Sequence, residues 1–211
     1  MIIIGRAKEE TVADWQSIVA NYKKFVKPHH VTLEIGASSI GKTLFLSKFC
    51  KKVIGVELFK DRTPKDQSRI EYINGDWQKL SQIIKPESID IAISTHVLEH
   101  VSDDLKAIDE LYKVLKAGGI ALINTPNRKR LTRTIIEIFT GEKIFPYLPH
   151  EHMREYIEAD LKRLIESSKF KKYKIFPVAL GLQSGQYHCY LKKFPNFLRR
   201  FANVWEIHLV K

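Results

Sequence analysis

No stretch of the chain approaches the ~20 consecutive apolar residues that a membrane-spanning helix requires, which excludes an integral helical membrane protein. Cysteine is scarce. Cys50 and Cys189 are the only two, and two widely separated thiols make neither a disulfide framework nor a metal-ligand pattern. They read as reduced thiols of a cytoplasmic protein. The opening Met1-Ile2-Ile3-Ile4-Gly5 is too short for a secretory signal and runs straight into charge. No internal repeat, low-complexity tract or Gly/Ser linker divides the 211 residues, so a single domain is expected, long enough to bury its own core. Acidic residues are in deficit, 24 against 35 Lys and Arg, for a net charge of +11. That excess favours polyanions in general, whether nucleic acid, anionic lipid or phosphorylated metabolites, without choosing among them.

What is present is an alternation. Residues 1–28 read as an N-terminal helix, with Val12, Trp15, Ile18, Val19, Tyr22 and Phe25-Val26 near helical spacing and Pro28 as its stop. Short β-rich runs follow at Val31–Ile35, Val53–Val56, Ile70–Ile73, Ile89–Ile93 and Ile120–Asn124. Helical patterns lie between them, at Lys42–Lys51 and at Leu105–Leu115, the latter ending in Lys116-Ala117-Gly118-Gly119 as a glycine stop. Apolar strands alternating with helices predict an α/β doubly wound three-layer sandwich around a parallel sheet. Ligands in such sheets sit beyond the carboxyl ends of the strands, where strand order reverses.

The segment after the first of these strands, Gly36 to Thr43, admits three readings. It matches G-x-x-x-x-G-K-[ST], the P-loop of nucleotide binders, with Lys42 as the phosphate lysine. It approximates the G-x-G-x-x-G fingerprint of NAD-dependent oxidoreductases at Gly36, Ser38 and Gly41. It also suits the nucleoside-binding turn of S-adenosylmethionine enzymes. All three share one basis, small residues that let a ligand approach outward-pointing helix amides. The P-loop reading lacks a later strand ending in Asp for magnesium, since Asp90 opens its strand, and Glu34 just before the loop would repel phosphate. The dinucleotide reading uses Glu57, but leaves Asp76 unexplained. The third reading uses all three acids. Glu34 is expected near the donor ammonium, directly or through water, Glu57 on the ribose hydroxyls and Asp76 on the adenine amine, with Leu58 or Trp77 over the purine face. Gly36, Ala37, Ser38, Gly41, Ser94 and Thr95 complete the expected cofactor site.

The ordered set Leu33–Gly41, Val53–Glu57, Asn74-Gly75-Asp76, Ile89–Ser94, His96-Val-Leu-Glu-His-Val101 and Leu115–Ile120 resembles the class I S-adenosylmethionine-dependent methyltransferases. More narrowly, it resembles the small-molecule group that carries a V-L-E-H-V stretch. The likeness spans roughly residues 30 to 180. It implies S-adenosylmethionine as cofactor and a seven-stranded, mostly parallel sheet whose antiparallel last strand is Val204–Val210. One departure stands out. Ser38 and Ile40 occupy the second and third glycine positions of the family loop, so Ser38 adds a side chain where the donor should lie close to backbone.

Methyl transfer needs alignment of acceptor and methyl above all, and a hydroxyl acceptor benefits from a general base. His96, His100 and His152 are the candidate catalytic residues, with His150 behind them. Residues 126–156 are expected to form a lid over the acceptor. Neither histidine pair reads as a metal site, because the expected zinc glutamates and a second His-x-x-x-His helix are missing, so no metal is expected. The acceptor is expected to be a small molecule, a sugar, quinone-like or lipid-linked. The alternative acceptor is RNA or protein. Two basic stretches favour it, Asn127–Arg133 and the aromatic-interleaved Tyr187–Phe201, the latter in a 181–203 insertion that suits RNA or an anionic membrane surface. An ordinary packed amphipathic helix explains Tyr187–Phe201 equally well.

Overall fold

The computed structural model describes residues 2–6, 22–38, 40–142, 152–184 and 187–211. Its frame is a seven-stranded sheet built from β2 (Val31–Ile35), β3 (Lys52–Glu57), β4 (Ile70–Asn74), β5 (Ile89–Thr95), β6 (Leu115–Pro126), β7 (Lys172–Val178) and β10 (Val204–Val210). The order across the sheet is β4-β3-β2-β5-β6-β10-β7. Neighbours from β4 to β6 run parallel, and β10 lies antiparallel between β6 and β7. Strand order reverses between β2 and β5, which is where a doubly wound sheet opens its ligand crevice.

The parallel strands read as near-continuous apolar runs because both faces are covered. Leu33, Ile35, Val56, Ala92 and Ile123 belong to one buried cluster with Leu80 of α2 (Leu80–Ile83), Ile108 and Leu111 of α3 (Asp104–Val114), and Leu161 and Ile165 of α5 (Glu158–Ser167). Ile91, Ile93, Val53 and Leu122 belong to a second cluster, with Tyr22, Val26 and Leu46 of α1 (Ile40–Ser47). The period-two alternation of each strand therefore sorts its side chains between two cores. Helix α3 shows the same logic at helical period. Ala107, Ile108, Leu111 and Val114 are buried, and the Asp103 carboxylate caps the first turn by accepting from the Lys106 N–H at 2.9 Å. At the amino ends of the strands, Asp90 accepts from the Val31 N–H at 2.8 Å and from Lys116, tying β2, β5 and β6 together far from the crevice.

Three expectations need correction. Ile2–Arg6 is a strand, β1, and not the start of a helix. Residues 7–21, with Val12, Trp15, Ile18 and Val19, lie outside the described residues, and helix is described only at Tyr22-Lys23. Within the segment 181–203, Tyr187–Phe201 is not a packed amphipathic helix. The segment holds β8 (Leu180–Ser184), β9 (Tyr187–Leu191) and a 3-10 turn at Asn196–Phe201, and β1, β9 and β8 form a second, antiparallel sheet. Lys116–Gly119 is no helix stop either, because the chain passes from α3 directly into β6. The segment 126–156, expected as a lid, contains α4 (Leu131–Thr140), closed by Gly141 at φ 72°, while residues 143–151 lie outside the described residues. No helix among the described residues is long and apolar enough to cross a membrane.

Candidate active site

A cavity of about 510 Å³ lies beyond the carboxyl ends of β2, β3, β4 and β5, within the size range of small-molecule sites. The turn leaving β2 opens it. Gly36 has φ 76°, and a Cβ added there would lie 2.4 Å from Cγ2 of Val97, so the backbone comes as close as it does only because no side chain intervenes. Ser38 also lines the cavity. Glu57, the last residue of β3, is buried yet lines it, and its Oε1 accepts from the Phe59 N–H at 3.1 Å. Leu58 follows on the rim, exposed. Asp76 lies two residues past β4, and its Oδ1 accepts from the Gln78 N–H at 2.9 Å, which caps the 3-10 turn Trp77–Lys79. Trp77 forms a buried wall, and Thr95 closes β5 beside it.

The structure brings Gly36, Ser38, Glu57, Leu58, Asp76, Trp77, Thr95, His96 and His100 around one cavity, and leaves five expected members off its wall: Glu34, Ala37, Gly41, Ser94 and His152. Ala37 and Ser94 are buried, and Gly41 sits exposed at the start of α1. Glu34 is the consequential case. Leu33 and Ile35 face one core, so Glu34 faces the other, 1% exposed, with Oε1 3.5 Å from Nζ of Lys42. Burial pushes its carboxyl above the usual range, and the Lys42 ammonium opposes the shift. Two carboxylates line the cavity rather than three, and Glu34 reaches it through Lys42, which does line it. The same pair weakens the P-loop reading, since the phosphate lysine of that motif is here engaged by a buried acid.

A second group adjoins the cavity. His96 leaves β5 with φ 55°, a conformation that costs a non-glycine residue ~1–3 kcal/mol, and its Nδ1 lies 3.3 Å from Oε1 of the wholly buried Glu99. Oε2 of Glu99 accepts from the Thr125 hydroxyl at 3.1 Å. Burial alone raises the Glu99 carboxyl, but the hydrogen bond and charge of His96, with His100 further off, outweigh it and hold the group below its ordinary range. The Glu99 carbonyl accepts from the N–H groups of Met153 and Arg154, which fastens the 152–156 segment to the turn after β5. His152 thereby meets His100 edge to face, ring centroids 4.9 Å apart. His152 Nδ1 lies 3.1 Å from Oε1 of buried Glu155, which Arg130 and Arg133 also hold. His152 itself is not on the cavity wall, whereas its neighbour Met153 is. His150 lies outside the described residues.

Sequence reasoning missed Phe59, Arg62, Gln78, Val97, Val101 and Met153 on the cavity wall, and Glu99 and Glu155 behind the histidines. The i,i+3 spacing of His96 with Glu99, and of His152 with Glu155, was the available signal. The basic stretch Asn127–Arg133 resolves differently from its expectation. Arg128 pairs with Asp160, Arg130 with Glu155, and Arg133 with Glu155 and Glu137, so three of its four cations hold the fold together.

Comparison with known proteins agrees with this geometry. Residues 33–123 match the model of a methyltransferase domain family. A probable S-adenosylmethionine-dependent methyltransferase of Mycolicibacterium smegmatis is 26% identical over 140 residues, 66% of this chain and 51% of that protein. A ubiquinone biosynthesis O-methyltransferase of Aliivibrio fischeri is 23% identical over 108 residues, 50% of this chain and 45% of that protein. The chain thus spans about half the length of these curated relatives. Among solved structures, the YcgJ protein of Bacillus subtilis superposes with a TM-score of 0.70 at 17% identity, covering 93% of this chain and 98% of that one. A SAM-dependent methyltransferase from Archaeoglobus fulgidus gives 0.64 at 17% identity, with 92% of each chain covered. The crevice at the reversal of strand order, its glycine turn and the matched residues 33–123 point the same way: in the part that carries the cavity the chain is similar to S-adenosylmethionine-dependent methyltransferases, and its fold is theirs.

Proposed function

We propose that the protein transfers a methyl group from S-adenosylmethionine to a hydroxyl of a small acceptor. The observation that carries this is a cavity at the reversal of strand order lined by a glycine turn and by Glu57 and Asp76. The donor set fits the group: two carboxylates repel a phosphate but suit a ligand that is cationic and offers ribose hydroxyls and an adenine amine. Glu57 would take the ribose hydroxyls, Asp76 the adenine amine, Gly36 and Ser38 the amino-acid end, and Leu58 and Trp77 the purine faces. Glu34 would act at one remove, by holding Lys42. S-adenosylmethionine supplies a methyl on a sulfonium, whose leaving sulfur needs no proton.

The histidines would then serve the acceptor. With Nδ1 turned to a buried carboxylate, His96 and His152 each keep Nε2 for another partner, the arrangement of an oriented base. His96, which lines the cavity, is the proposed proton acceptor. Its imidazole would take the proton that the acceptor hydroxyl gives up as the oxygen receives the methyl, while the displaced sulfur would keep the electron pair of its former bond to carbon. The name of the Aliivibrio relative, an O-methyltransferase, supports oxygen as the acceptor atom and a small quinone-like class. The pairing of Arg128, Arg130 and Arg133 with internal acids removes support from an RNA-directed reading.

Calorimetric titration tests the donor site. Hydrogen bonds to charged groups are worth about 1.5–3 kcal/mol, so Glu57→Ala and Asp76→Ala should each weaken S-adenosylmethionine roughly 10- to 100-fold. Unchanged affinity in both variants refutes the assignment.

A further inference from the structure

We infer that Glu99, His100 and His152 form a binding site for one divalent transition-metal cation. The fold brings together what 52 residues of sequence separate: one ligand atom from each side chain, all within 4.8 Å of one another. A cation held at ~2.0–2.2 Å from each ligand requires that group to contract, by rotation of the two imidazoles that already pack edge to face. Glu99 is wholly buried and anchored by Thr125 and His96, so the one charged ligand is already in place.

The outer shell is what separates this cluster from a chance grouping. A metal-binding histidine characteristically gives its second ring nitrogen to a carboxylate, which fixes tautomer and ring orientation. His152 does so through Nδ1 on Glu155, leaving Nε2 for a cation, and Arg130 and Arg133 fix Glu155 in turn. Those arginines do not leave the site net positive, because Glu155 and Glu137 engage them. Two imidazoles and one carboxylate suit zinc, manganese, iron or cobalt better than magnesium or calcium, and leave coordination positions open. The site adjoins the donor cavity through His100 and Met153. An acceptor oxygen bound at an open position would be acidified and aimed by the metal, with His96 receiving its proton. That role rests on the methyl-transfer reading, whereas the existence of the site does not.

The test is titration of chelator-treated full chain with Co²⁺, followed by visible absorption and calorimetry, beside a separate titration with S-adenosylmethionine. Wild type should bind one Co²⁺ per chain with the ligand-field bands of imidazole coordination. His152→Ala and His100→Asn should each lose at least tenfold in Co²⁺ affinity, and Glu155→Gln about 10- to 100-fold. Retained S-adenosylmethionine binding by at least one histidine variant shows that the fold is intact. Absence of stoichiometric Co²⁺ binding in wild type overturns the proposal, as does binding undiminished in both histidine variants. Cobalt bound as expected without any S-adenosylmethionine binding leaves the metal site standing and refutes the donor reading.

Discussion

Replacing Gly36 by alanine perturbs the turn on which the cavity depends, and its magnitude can be worked from two features. The residue sits at φ 76°, where a side chain costs roughly 1–2 kcal/mol. The new methyl would also lie 2.4 Å from Val97 Cγ2, an overlap of the kind that costs about 1–3 kcal/mol in packed sites. The sum, about 2–5 kcal/mol, is large against the ~5–15 kcal/mol that holds a typical domain. Urea unfolding of wild type, Gly36→Ala, Val97→Ala and the double variant separates the two parts. Only the steric part is relieved by trimming Val97, so the double variant should be more stable than additivity allows by about 1–3 kcal/mol. Strict additivity, or a Gly36→Ala loss under about 0.5 kcal/mol, refutes the reasoning.

Other consequences are open to measurement. Arg133→Met leaves the buried Glu155 with Arg130 and His152 only and should cost about 3–5 kcal/mol by chemical denaturation, with a further Glu155→Leu change recovering part of the loss. Gly181→Ala places a Cβ 2.0 Å from the Cys189 carbonyl oxygen. It should part β8 from β9 and lower the melting temperature by several degrees, about 2–4 °C per kcal/mol for a chain of this size. The acid limb of stability has a definite sign. Asp90, Glu99 and Glu110 carry folded pKa values below their ordinary 3.8, 4.5 and 4.5, so the unfolded chain takes up protons first. Their contribution is full above those ordinary values and is lost as pH falls through the folded ones. Glu99→Gln should therefore flatten the fall in stability below about pH 5. An equally steep fall contradicts the account of Glu99.

The main sheet was legible because each parallel strand, covered on both faces, is a short apolar run bounded by turn residues. Glu57 and Asp76 were legible for the same reason, as acids placed where such strands end. Alternation alone places Glu34: flanked by Leu33 and Ile35 of one core, its side chain turns to the other, off the cavity wall. The second sheet escaped notice because Ile2–Arg6 pairs with residues 187–191 near the far end of the chain, and no local pattern encodes a partner that distant. The meeting of His152 with His100 was hidden likewise. It depends on Glu99 receiving the 152–156 segment through its backbone carbonyl, a tertiary contact with no signature in spacing.

The most direct measurement is a set of calorimetric titrations of the unaltered chain with S-adenosylmethionine, its demethylated product, NAD and ATP. Saturable binding of the first two alone is the expected result. Tight ATP binding that disappears in Lys42→Ala would contradict it.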